Sequence, residues 1–249
     1  MKNFEKIGQG HTAIIYKDKH KAVKLYNKGI SLAHVEHEAS LQKYAVDVGL
    51  PVPAVLGICQ FKDSSIALEM EFINAQPFVQ SRMTSGKWSS TIKILVELQR
   101  NIHDIIATEP PNQINEFKRK ISDSHHISDD IKTNLLYRLN QMNTQADKLC
   151  HGDFHPFNII YDGSKHWIID WRASTSGDPL ADACRTYVIF RQFIKRRAES
   201  YLKTYCKEAG VERRDVLAWL PIIVAVCLSH DMDDKSRKLL LGILEQSLN

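Results

Sequence analysis

Residues 151–171 read HGDFHPFNIIYDGSKHWIIDW, and this stretch decides the fold class. It carries three polar side chains at distinctive positions, Asp153, Asn158 and Asp170. Two short apolar runs flank a turn at residues 162–163, which predicts a pair of antiparallel strands. Asn158 and Asp170 would lie at the ends of these two strands. Their side chains could therefore converge on one point, beside Asp153 from the preceding loop.

These three side chains are the types that phosphoryl transfer needs. Mg²⁺ takes hard oxygen ligands, commonly one or two from the protein together with nucleotide phosphates. Asp170 would supply a charged oxygen and Asn158 a neutral carbonyl oxygen. Asp153 would accept a hydrogen bond from the attacking hydroxyl and orient it, for which a raised pKa is unnecessary. The alternative is a β-hairpin with ordinary turn carboxylates, but the full pattern H-G-D-x4-N with I-I-D-W is more specific than that.

The same stretch resembles the catalytic segment of the aminoglycoside phosphotransferase and choline kinase-like family. The family pattern continues with D-P-x-x-D-x-x-R, and residues 178–185 here read DPLADACR. The resemblance implies a two-lobed protein-kinase-like fold, with ATP as co-substrate and Mg²⁺ as cofactor. It also implies Asp153 as the catalytic base, with Asn158 and Asp170 as the magnesium ligands.

Two further residues of this pattern, Asp182 and Arg185, are expected to brace the catalytic loop rather than to touch substrate. Protein kinases carry H-R-D, and here Gly152 replaces the arginine that answers a phosphate on the activation loop. Only a short segment separates Asp170 from Asp182, and it contains no A-P-E motif. The sequence therefore favours a small-molecule substrate over a phosphorylation-switched protein kinase.

The order of predicted elements is a β-rich part with one helix, followed by a mainly helical part with an embedded β-loop. Runs rich in β-forming residues predict strands at 4–7, 12–17, 21–25, 54–59 and 66–72. Ser31 is predicted to cap a helix that ends at about residue 48, and Ser128 to cap a later one. We predict an α+β fold with a small, β-rich nucleotide-binding lobe at residues 1–73. A larger, mainly helical lobe at residues 74–249 would carry catalysis and substrate binding.

The first lobe carries the residue types of a nucleotide site. Gly8 and Gly10 lie between two predicted strands, where glycines let the backbone approach phosphates closely. Ala13 replaces the third glycine of the G-x-G-x-x-G form. The next strand contains K-A-V-K-L, which resembles the kinase strand with a phosphate-binding lysine, so Lys24 is predicted to bind the α- and β-phosphates. Lys21 is the fallback and is expected to face solvent.

The predicted helix of this lobe offers two glutamates, Glu36 and Glu38, which point to different helix faces. The family pattern places the lysine-pairing glutamate just before a small-x-Leu stretch, and residues 39–41 read ASL. That selects Glu38; the alternative is that both glutamates are solvated. The run E-M-E-F-I resembles the hinge of the family, so adenine is expected to bond to backbone groups around Glu71 and Ile73.

The acceptor is expected to be a cationic or polyhydroxylated small molecule, because the family that the chain resembles acts on aminoglycosides, choline, amino alcohols and sugars. A cationic acceptor would favour nearby carboxylates, and Asp231, Asp233 and Asp234 cluster in the last part of the chain. The alternative, which the sequence favours, is that Asp231 or Asp233 caps the final helix. A basic helix stretch is interpreted as a solvated face, and the alternative is that it binds a phosphorylated or nucleic-acid partner; its members are Arg185, Arg191, Lys195, Arg196 and Arg197.

The composition excludes several classes of protein. The net charge of +4 is too small to indicate a nucleic-acid partner. No stretch approaches the ~20 apolar residues of a membrane helix, and residues 1–6 contain no apolar core of a signal peptide. Five cysteines without a C-x-x-C pair predict reduced thiols. We therefore expect a cytoplasmic protein without a membrane or nucleic-acid partner.

Together these features predict a Mg-ATP-dependent phosphotransferase that acts on a hydroxyl of a small molecule, such as an aminoglycoside-like antibiotic, an amino sugar or an amino alcohol. The alternative is a catalytically weak pseudokinase that binds nucleotide or a partner, which the missing third glycine would favour. The intact set of Lys24, Glu38, Asp153, Asn158 and Asp170 favours the enzyme.

Overall fold

A computed structural model describes residues 4–10, 12–61, 64–80, 88–142, 146–230 and 232–248. The chain folds into two compact units, each made of two segments. They are Met1–Ser85 with Pro156–Ala173, and Gly86–His155 with Ser174–Asn249. The predicted boundary between residues 73 and 74 falls inside the first unit. The division into lobes at 1–73 and 74–249 stays a prediction.

The first unit contains a five-stranded antiparallel sheet, as its runs of β-forming residues predict. The strand order is β1-β2-β3-β5-β4. The strands are β1 (Glu5–Gln9), β2 (Ala13–Asp18), β3 (Lys21–Tyr26), β4 (Val55–Gln60) and β5 (Ile66–Glu71). The order brings β3 beside β5 across a long sequence separation, so the strand with Lys24 lies in the middle of the sheet.

One helix, α1 (Leu32–Asp47), packs on this sheet. Ser31 caps it as predicted, because its hydroxyl accepts a hydrogen bond from the backbone N–H of His34 at 3.3 Å. The chain leaves the helix through Gly49, whose φ of +86° is a left-handed conformation that glycine adopts readily. Val35 and Ala39 are buried in a cluster with residues of the sheet. Burial of this apolar face fixes which side of α1 meets the sheet.

The first unit also contains the predicted hairpin. Its strands β8 (Ile159–Tyr161) and β9 (His166–Ile168) are antiparallel, and β6 (Gln76–Pro77) pairs with β8. Asp162 holds the turn by accepting bonds from the backbone N–H groups of residues 164 and 165 and from the Trp167 indole. The Trp167 bond, followed by the two backbone bonds, lowers the pKa of Asp162 to about 2.

The second unit is mainly helical, as predicted, with one small sheet. Its helices are α2 (Trp88–His103), α3 (Gln113–Asp123), α4 (Asp129–Gln141), α5 (Pro179–Phe193), α6 (Lys195–Ala209), α7 (Arg213–Leu217), α8 (Leu220–Leu228) and α9 (Asp234–Leu248). Strands β7 (Lys148–Cys150) and β10 (Thr175–Gly177) form an antiparallel pair. Ser128 caps α4 as predicted.

The most buried element of this unit is α8, in which every residue from 221 to 228 is buried. Such an all-apolar helix lies in the interior of a unit, and α5, α3 and α9 pack around it. With nine residues α8 is far too short to cross a bilayer, and no other helix of the described residues is long and apolar enough to do so.

A side-chain contact requires glycine at position 177, where β10 leads into α5. The side-chain amide of Gln113 forms two hydrogen bonds with the backbone of Asp178. It accepts from the N–H at 2.9 Å and donates to the carbonyl at 3.4 Å. A Cβ atom at Gly177 would overlap the Gln113 side chain. Glycine is therefore needed here for close approach, because Gln113 holds the start of α5 in place.

We predict that Gly177→Ala lowers the free energy of unfolding by about 1–3 kcal/mol, since the overlap forces the Gln113 side chain to move. The matched control is Gly242→Ala in α9, where an added Cβ meets no atom within 4 Å. That change should raise stability by up to ~1 kcal/mol through helix propensity. Thermal melting of the two variants tests this, and equal effects would contradict the packing argument.

Candidate active site

The loop that carries Asp153 is held in the second unit by a buried carboxylate. Asp182, at the start of α5, accepts a hydrogen bond from the backbone N–H of Gly152 at 2.7 Å and from that of His151 at 3.4 Å. Gly152 itself has a φ of +77°, a left-handed conformation suited to glycine. These contacts bear out the prediction that Asp182 braces the loop.

Asp182 is in turn fixed by two side chains of α2, which lie four residues apart on one helix face. Gln99 donates to Asp182 at 3.1 Å and His103 lies 2.9 Å from it through Nε2. Burial raises the pKa of Asp182, but the bonds from His103 and Gln99 outweigh burial and lower the pKa overall. The aspartate is therefore ionised in the folded protein.

Sequence reasoning missed this support of the loop. Behind the α2 residues, Tyr201 donates to Gln99 at 2.5 Å and the hydroxyl of Tyr205 lies 2.9 Å from His103 Nδ1. Thr186 donates to the carbonyl of Phe154 at 2.9 Å. The one signal in the sequence is the spacing of Gln99 and His103, two polar residues on an otherwise apolar helix face. Their partner lies about eighty residues away, so the spacing alone could not find it.

The Asp153 carboxylate lies beside the side chains of Arg185 and His155, which belong to the same unit. Arg185 donates to Asp153 Oδ1 at 3.3 Å, and His155 Nε2 lies 3.5 Å from Oδ2. Burial raises the pKa of Asp153. The bond from His155 and the charge of Arg185 lower the pKa by a larger amount, so that it lies well below its usual range. The carboxylate side chain is 26% exposed. It is thus charged and accessible, as a group that accepts a hydrogen bond from a hydroxyl must be.

In the first unit, Lys24 of β3 lies between two carboxylates. Its ammonium group is 2.5 Å from Glu38 Oε1 and 3.3 Å from Asp170 Oδ1. Glu38 is almost completely buried, at 1% exposure, and its second oxygen accepts from the Tyr26 hydroxyl at 2.7 Å. Such an ion pair fixes the position of the ammonium group, because the buried Glu38 carboxylate has no access to bulk solvent and Lys24 is only 11% exposed. Tyr26 is a member of this cluster that the motif did not indicate.

The two alternative residues occupy different environments. Lys21 is 46% exposed and pairs with Glu69 on the neighbouring strand β5. Glu36 is exposed on the solvent side of α1. Lys21, the alternative phosphate-binding lysine, is therefore at the surface, as expected. The pair that the structure brings together is Lys24 and Glu38.

Asp170 follows the hairpin in an unusual backbone conformation. Its φ of +65° is left-handed, a region that aspartate tolerates better than most residues. The flanks hold it there, because Ile169 donates to the carbonyl of Asn158 at 3.0 Å and the buried Trp171 donates to that of Ile168 at 3.1 Å. Positive φ outside glycine is often found at functional sites.

The oxygen donors of this hairpin suit a hard cation. Asp170, 29% exposed, carries a charged oxygen and Asn158, 8% exposed, an amide oxygen. The structure places them at the two hairpin ends as predicted, since Asn158 precedes β8 and Asp170 follows β9. In the described part of the chain no group of three His, Cys, Asp or Glu side chains could hold a metal. Mg²⁺ shared with nucleotide phosphates needs no such group.

The glycine turn leaves room near the backbone. Gly8 lies in β1 at an irregular register, and Gly10 donates from its backbone N–H to the carbonyl of Ala13 at 2.9 Å. Neither glycine has a positive φ, and a Cβ added at either would meet only ordinary contacts within the protein. His11 lies outside the described residues. The fold itself therefore does not require either glycine.

The segment after β5 was predicted to be the hinge. The backbone N–H of Glu71 donates to Ala54 at 2.8 Å, so this group is already used. Ile73, by contrast, makes no hydrogen bond to any other residue that the structure describes. The available backbone groups of the segment therefore lie at Ile73 rather than at the Glu71 amide.

The acidic residues near the C-terminus have structural partners. Asp233 caps α9, because its carboxylate accepts from the Ser236 backbone N–H at 2.9 Å and from the Ser236 hydroxyl at 2.7 Å. Asp234 pairs with Arg237 at 2.8 Å. Asp231 lies outside the described residues. The capping interpretation of Asp233 is confirmed.

A family model places these residues in context. The model described as the phosphotransferase enzyme family, APH, matches residues 7–220. The chain belongs to this family. The match spans the glycine turn, the Lys24–Glu38 pair, the loop that carries Asp153 and the hairpin, so all of these segments lie within the family region.

Solved structures share the fold at low sequence identity. A thermostable mutant of aminoglycoside phosphotransferase APH(4)-Ia, solved with AMP-PNP and hygromycin B, has a TM-score of 0.71 at 16% identity over 99% of this chain and 93% of that chain. Choline kinase LicA from Streptococcus pneumoniae has a TM-score of 0.65 at 17% identity over 98% and 94%. A choline/ethanolamine kinase family protein from Mesorhizobium loti has 0.64 at 18% identity over 99% and 87%. The α+β protein-kinase-like fold is therefore confirmed.

A curated relative is much longer than this chain. Acyl-CoA dehydrogenase family member 10 of Mus musculus is 25% identical over 218 residues, which covers 71% of this chain and 20% of the mouse protein. The chain thus spans about a fifth of the length of that relative. The similarity relates this chain to one part of a larger protein.

We predict that Lys24→Met raises the dissociation constant of Mg-ATP about 10- to 100-fold, the effect of losing a charge-assisted hydrogen bond. Lys21→Met is the matched control, because it lies on the same strand and also pairs with a glutamate. It should change the constant less than about twofold, as expected for an exposed ion pair. Calorimetric titration measures both, and equal losses would contradict the assignment of Lys24.

We also predict that the second unit loses stability in acid. The pKa values of Asp153 and Asp182 are lower in the folded protein than in the unfolded chain. Their stabilisation is therefore complete above the unfolded pKa of about 3.9 and is lost as pH falls below it. Each group contributes a slope of up to ~1.4 kcal/mol per pH unit. Denaturant unfolding from pH 6 to 2.5 tests this, with a shallower slope expected for Asp182→Asn. Stability that rises on acidification would contradict it.

Proposed function

We propose that the protein transfers the γ-phosphate of Mg-ATP to a hydroxyl group of a small molecule. The observation that carries the proposal is the position of Lys24 between buried Glu38 and Asp170. A buried lysine–glutamate pair beside a carboxylate on a hairpin is the arrangement that kinases use to hold nucleotide phosphates. Membership of the phosphotransferase family supports the same reaction.

Lys24 would contact the α- and β-phosphates, with Glu38 and Tyr26 holding its ammonium group in place. Gly8 and Gly10 would let the backbone of the turn approach the phosphates. This explains why glycines stand where the fold does not require them. Adenine would bond to the segment of Glu71 and Ile73, where Ile73 offers the available backbone groups.

Asp170 and Asn158 would hold Mg²⁺ together with the nucleotide phosphates. When bound, the ion neutralises the charge that the phosphate oxygens carry during transfer. Asp170 is held in its left-handed conformation by buried neighbours, so its carboxylate is in place before the ion binds. The neighbouring Lys24 would then share Asp170 with the ion.

Asp153 would accept a hydrogen bond from the acceptor hydroxyl and orient its oxygen toward the γ-phosphorus. The new O–P bond forms as the bond from the γ-phosphorus to the bridging oxygen of ADP breaks, and the hydroxyl proton passes through Asp153 to solvent. The lowered pKa of Asp153 fits a positioning role, because a loose transition state leaves the proton on the hydroxyl until late. Arg185 would keep the carboxylate in the required orientation.

The acceptors inferred from sequence were aminoglycoside-like antibiotics, amino sugars and amino alcohols. A related structure binds hygromycin B and another is a choline kinase, which supports a hydroxyl on a small molecule as the acceptor. These compounds therefore form the first panel in any assay of this protein.

We predict acceptor-dependent ADP release in a coupled assay with Mg-ATP and a panel of aminoglycosides, choline, amino sugars and hydroxylated metabolites. Asp153→Ala should lower the rate at least 100-fold while Mg-ATP binding stays within about threefold. Asp170→Ala should instead weaken binding of Mg-ATP more than that of ATP without Mg²⁺. Normal turnover by either variant would overturn the assignment. ATP binding without turnover on any acceptor would favour the pseudokinase.

A further inference from the structure

Arg185 connects the candidate catalytic residue to helix α8. One guanidinium nitrogen donates to Asp153 and the other contacts the sulfur of Cys227, near the end of α8. The side chain is only 18% exposed. The region around Asp153 is thus formed by α5 and the C-terminal end of α8, within one unit.

Helix α3 brings a second cation to this region. Ser124 donates to the carbonyl of Leu228 at 3.4 Å, and Phe117 lies 6.2 Å from Trp219 between ring centroids. Lys120 lies four residues before Ser124 and three after Phe117, so it shares the helix face that packs on α8. The lysine is partly buried there.

Lys120 lies near charges of both signs, and Arg185 disfavours its ammonium form more strongly than Glu116 favours it. Within the described ranges it makes no hydrogen bond or ion pair. Glu116, one turn earlier, pairs with Arg119 at 2.7 Å. Burial, followed by the charge of Arg185, lowers the pKa of Lys120. An ammonium group that is partly buried and close to a guanidinium destabilises the protein unless an anion pairs with it.

Arg185 and Lys120 thus bring two cationic side chains near the C-terminal end of α8. Of these two cations, Arg185 donates directly to the Asp153 carboxylate. Burial, followed by the charges of Arg185 and Lys120, lowers the pKa of His230 to about 4. A cationic acceptor such as an amino alcohol would be repelled by these two cations, whereas an oxyanion would pair with them.

We propose that Lys120, together with Arg185, binds an anionic group on the acceptor and so places the acceptor hydroxyl beside Asp153. The anionic group is a carboxylate or a phosphate, whose oxygens both accept charge-assisted hydrogen bonds from Lys and Arg. This inference rests on the proposed phosphotransferase function and specifies its acceptor. It replaces the cationic acceptor expected from family resemblance with a hydroxylated acid or a hydroxylated phosphate ester.

The test uses four acceptors that share a three-carbon skeleton and differ in one group. They are glycerol, glycerate, glycerol 3-phosphate and 3-amino-1,2-propanediol. With Mg-ATP, acceptor-dependent ADP release should show a kcat/KM at least 10-fold higher for glycerate or glycerol 3-phosphate than for the neutral and amino compounds. Comparison of glycerate with glycerol 3-phosphate shows whether the preferred anionic group is a carboxylate or a phosphate.

Variants assign the preference to Lys120. Lys120→Met should raise KM for the preferred anionic acceptor about 10- to 100-fold with kcat within about twofold, because a binding contact is lost. Lys120→Glu should reverse the preference between glycerate and 3-amino-1,2-propanediol. Lys203→Met, an exposed lysine of α6, is the matched control and should change neither constant. Lys120→Met should melt at or above the wild-type temperature, since an unpaired charge is removed.

Each outcome decides the inference. A preference for the neutral or amino compound, activity with aminoglycosides or choline alone, or an unchanged KM in Lys120→Met would overturn it while leaving the phosphotransferase intact. If no acceptor is turned over, the proposed function fails. In that case the affinities of glycerate and glycerol 3-phosphate for the wild type and for Lys120→Met, measured by calorimetry, test the anion site separately. Binding weakened in the variant supports the anion site, and absent or equal binding overturns it.

Discussion

The ion pair between Lys24 and Glu38 is the interaction that fixes the arrangement of the candidate nucleotide site in the first unit. Glu38 is buried on α1 and Lys24 lies in the middle of the sheet, so the two charges compensate each other, and the Tyr26 hydroxyl donates a further hydrogen bond to Glu38. Removing one partner would leave a buried charge uncompensated, which is strongly unfavourable. The pair therefore couples the position of α1 to that of β3. It also sets the distance from the lysine to Asp170.

The second unit is governed by a comparable constraint. Asp182 is completely enclosed, and its oxygens are shared between the backbone of the catalytic loop and two side chains of α2. This network fixes the loop from behind and leaves Asp153 itself partly exposed beside Arg185. The cations around Asp153 then act in two ways. Arg185 helps to keep its carboxylate ionised, and in the proposed function Arg185 and Lys120 would attract an anionic acceptor.

Much of the fold could be predicted because its signals are local. The hairpin at residues 159–168, the caps at Ser31 and Ser128, and the sheet strands each follow from neighbouring residue types. Helix α3 was not predicted, because few apolar residues mark its buried face. The strand order and the boundaries of the compact units depend on contacts between distant segments, which no local pattern encodes.

The candidate site shows the same division between local and distant signals. Motif positions indicated Lys24, Glu38, Asp153, Asn158 and Asp170, and the structure adds what surrounds them. The supports of the catalytic loop could not be found from sequence, because their partners lie far along the chain. The proximity of Arg185 and Lys120 was missed for the same reason, since they lie on two helices, α5 and α3, that are distant in the sequence.

The proposed function requires that a phosphoryl group is transferred to an acceptor rather than released into water. The most direct measurement uses ATP labelled in the γ-phosphate, incubated with Mg²⁺, the protein and the acceptor panel, followed by mass spectrometry of the products. We predict that the label appears as a phosphate ester of one acceptor, and that Asp153→Asn abolishes this product without preventing nucleotide binding. Label found only in inorganic phosphate, or ester formed equally by the variant, would contradict it.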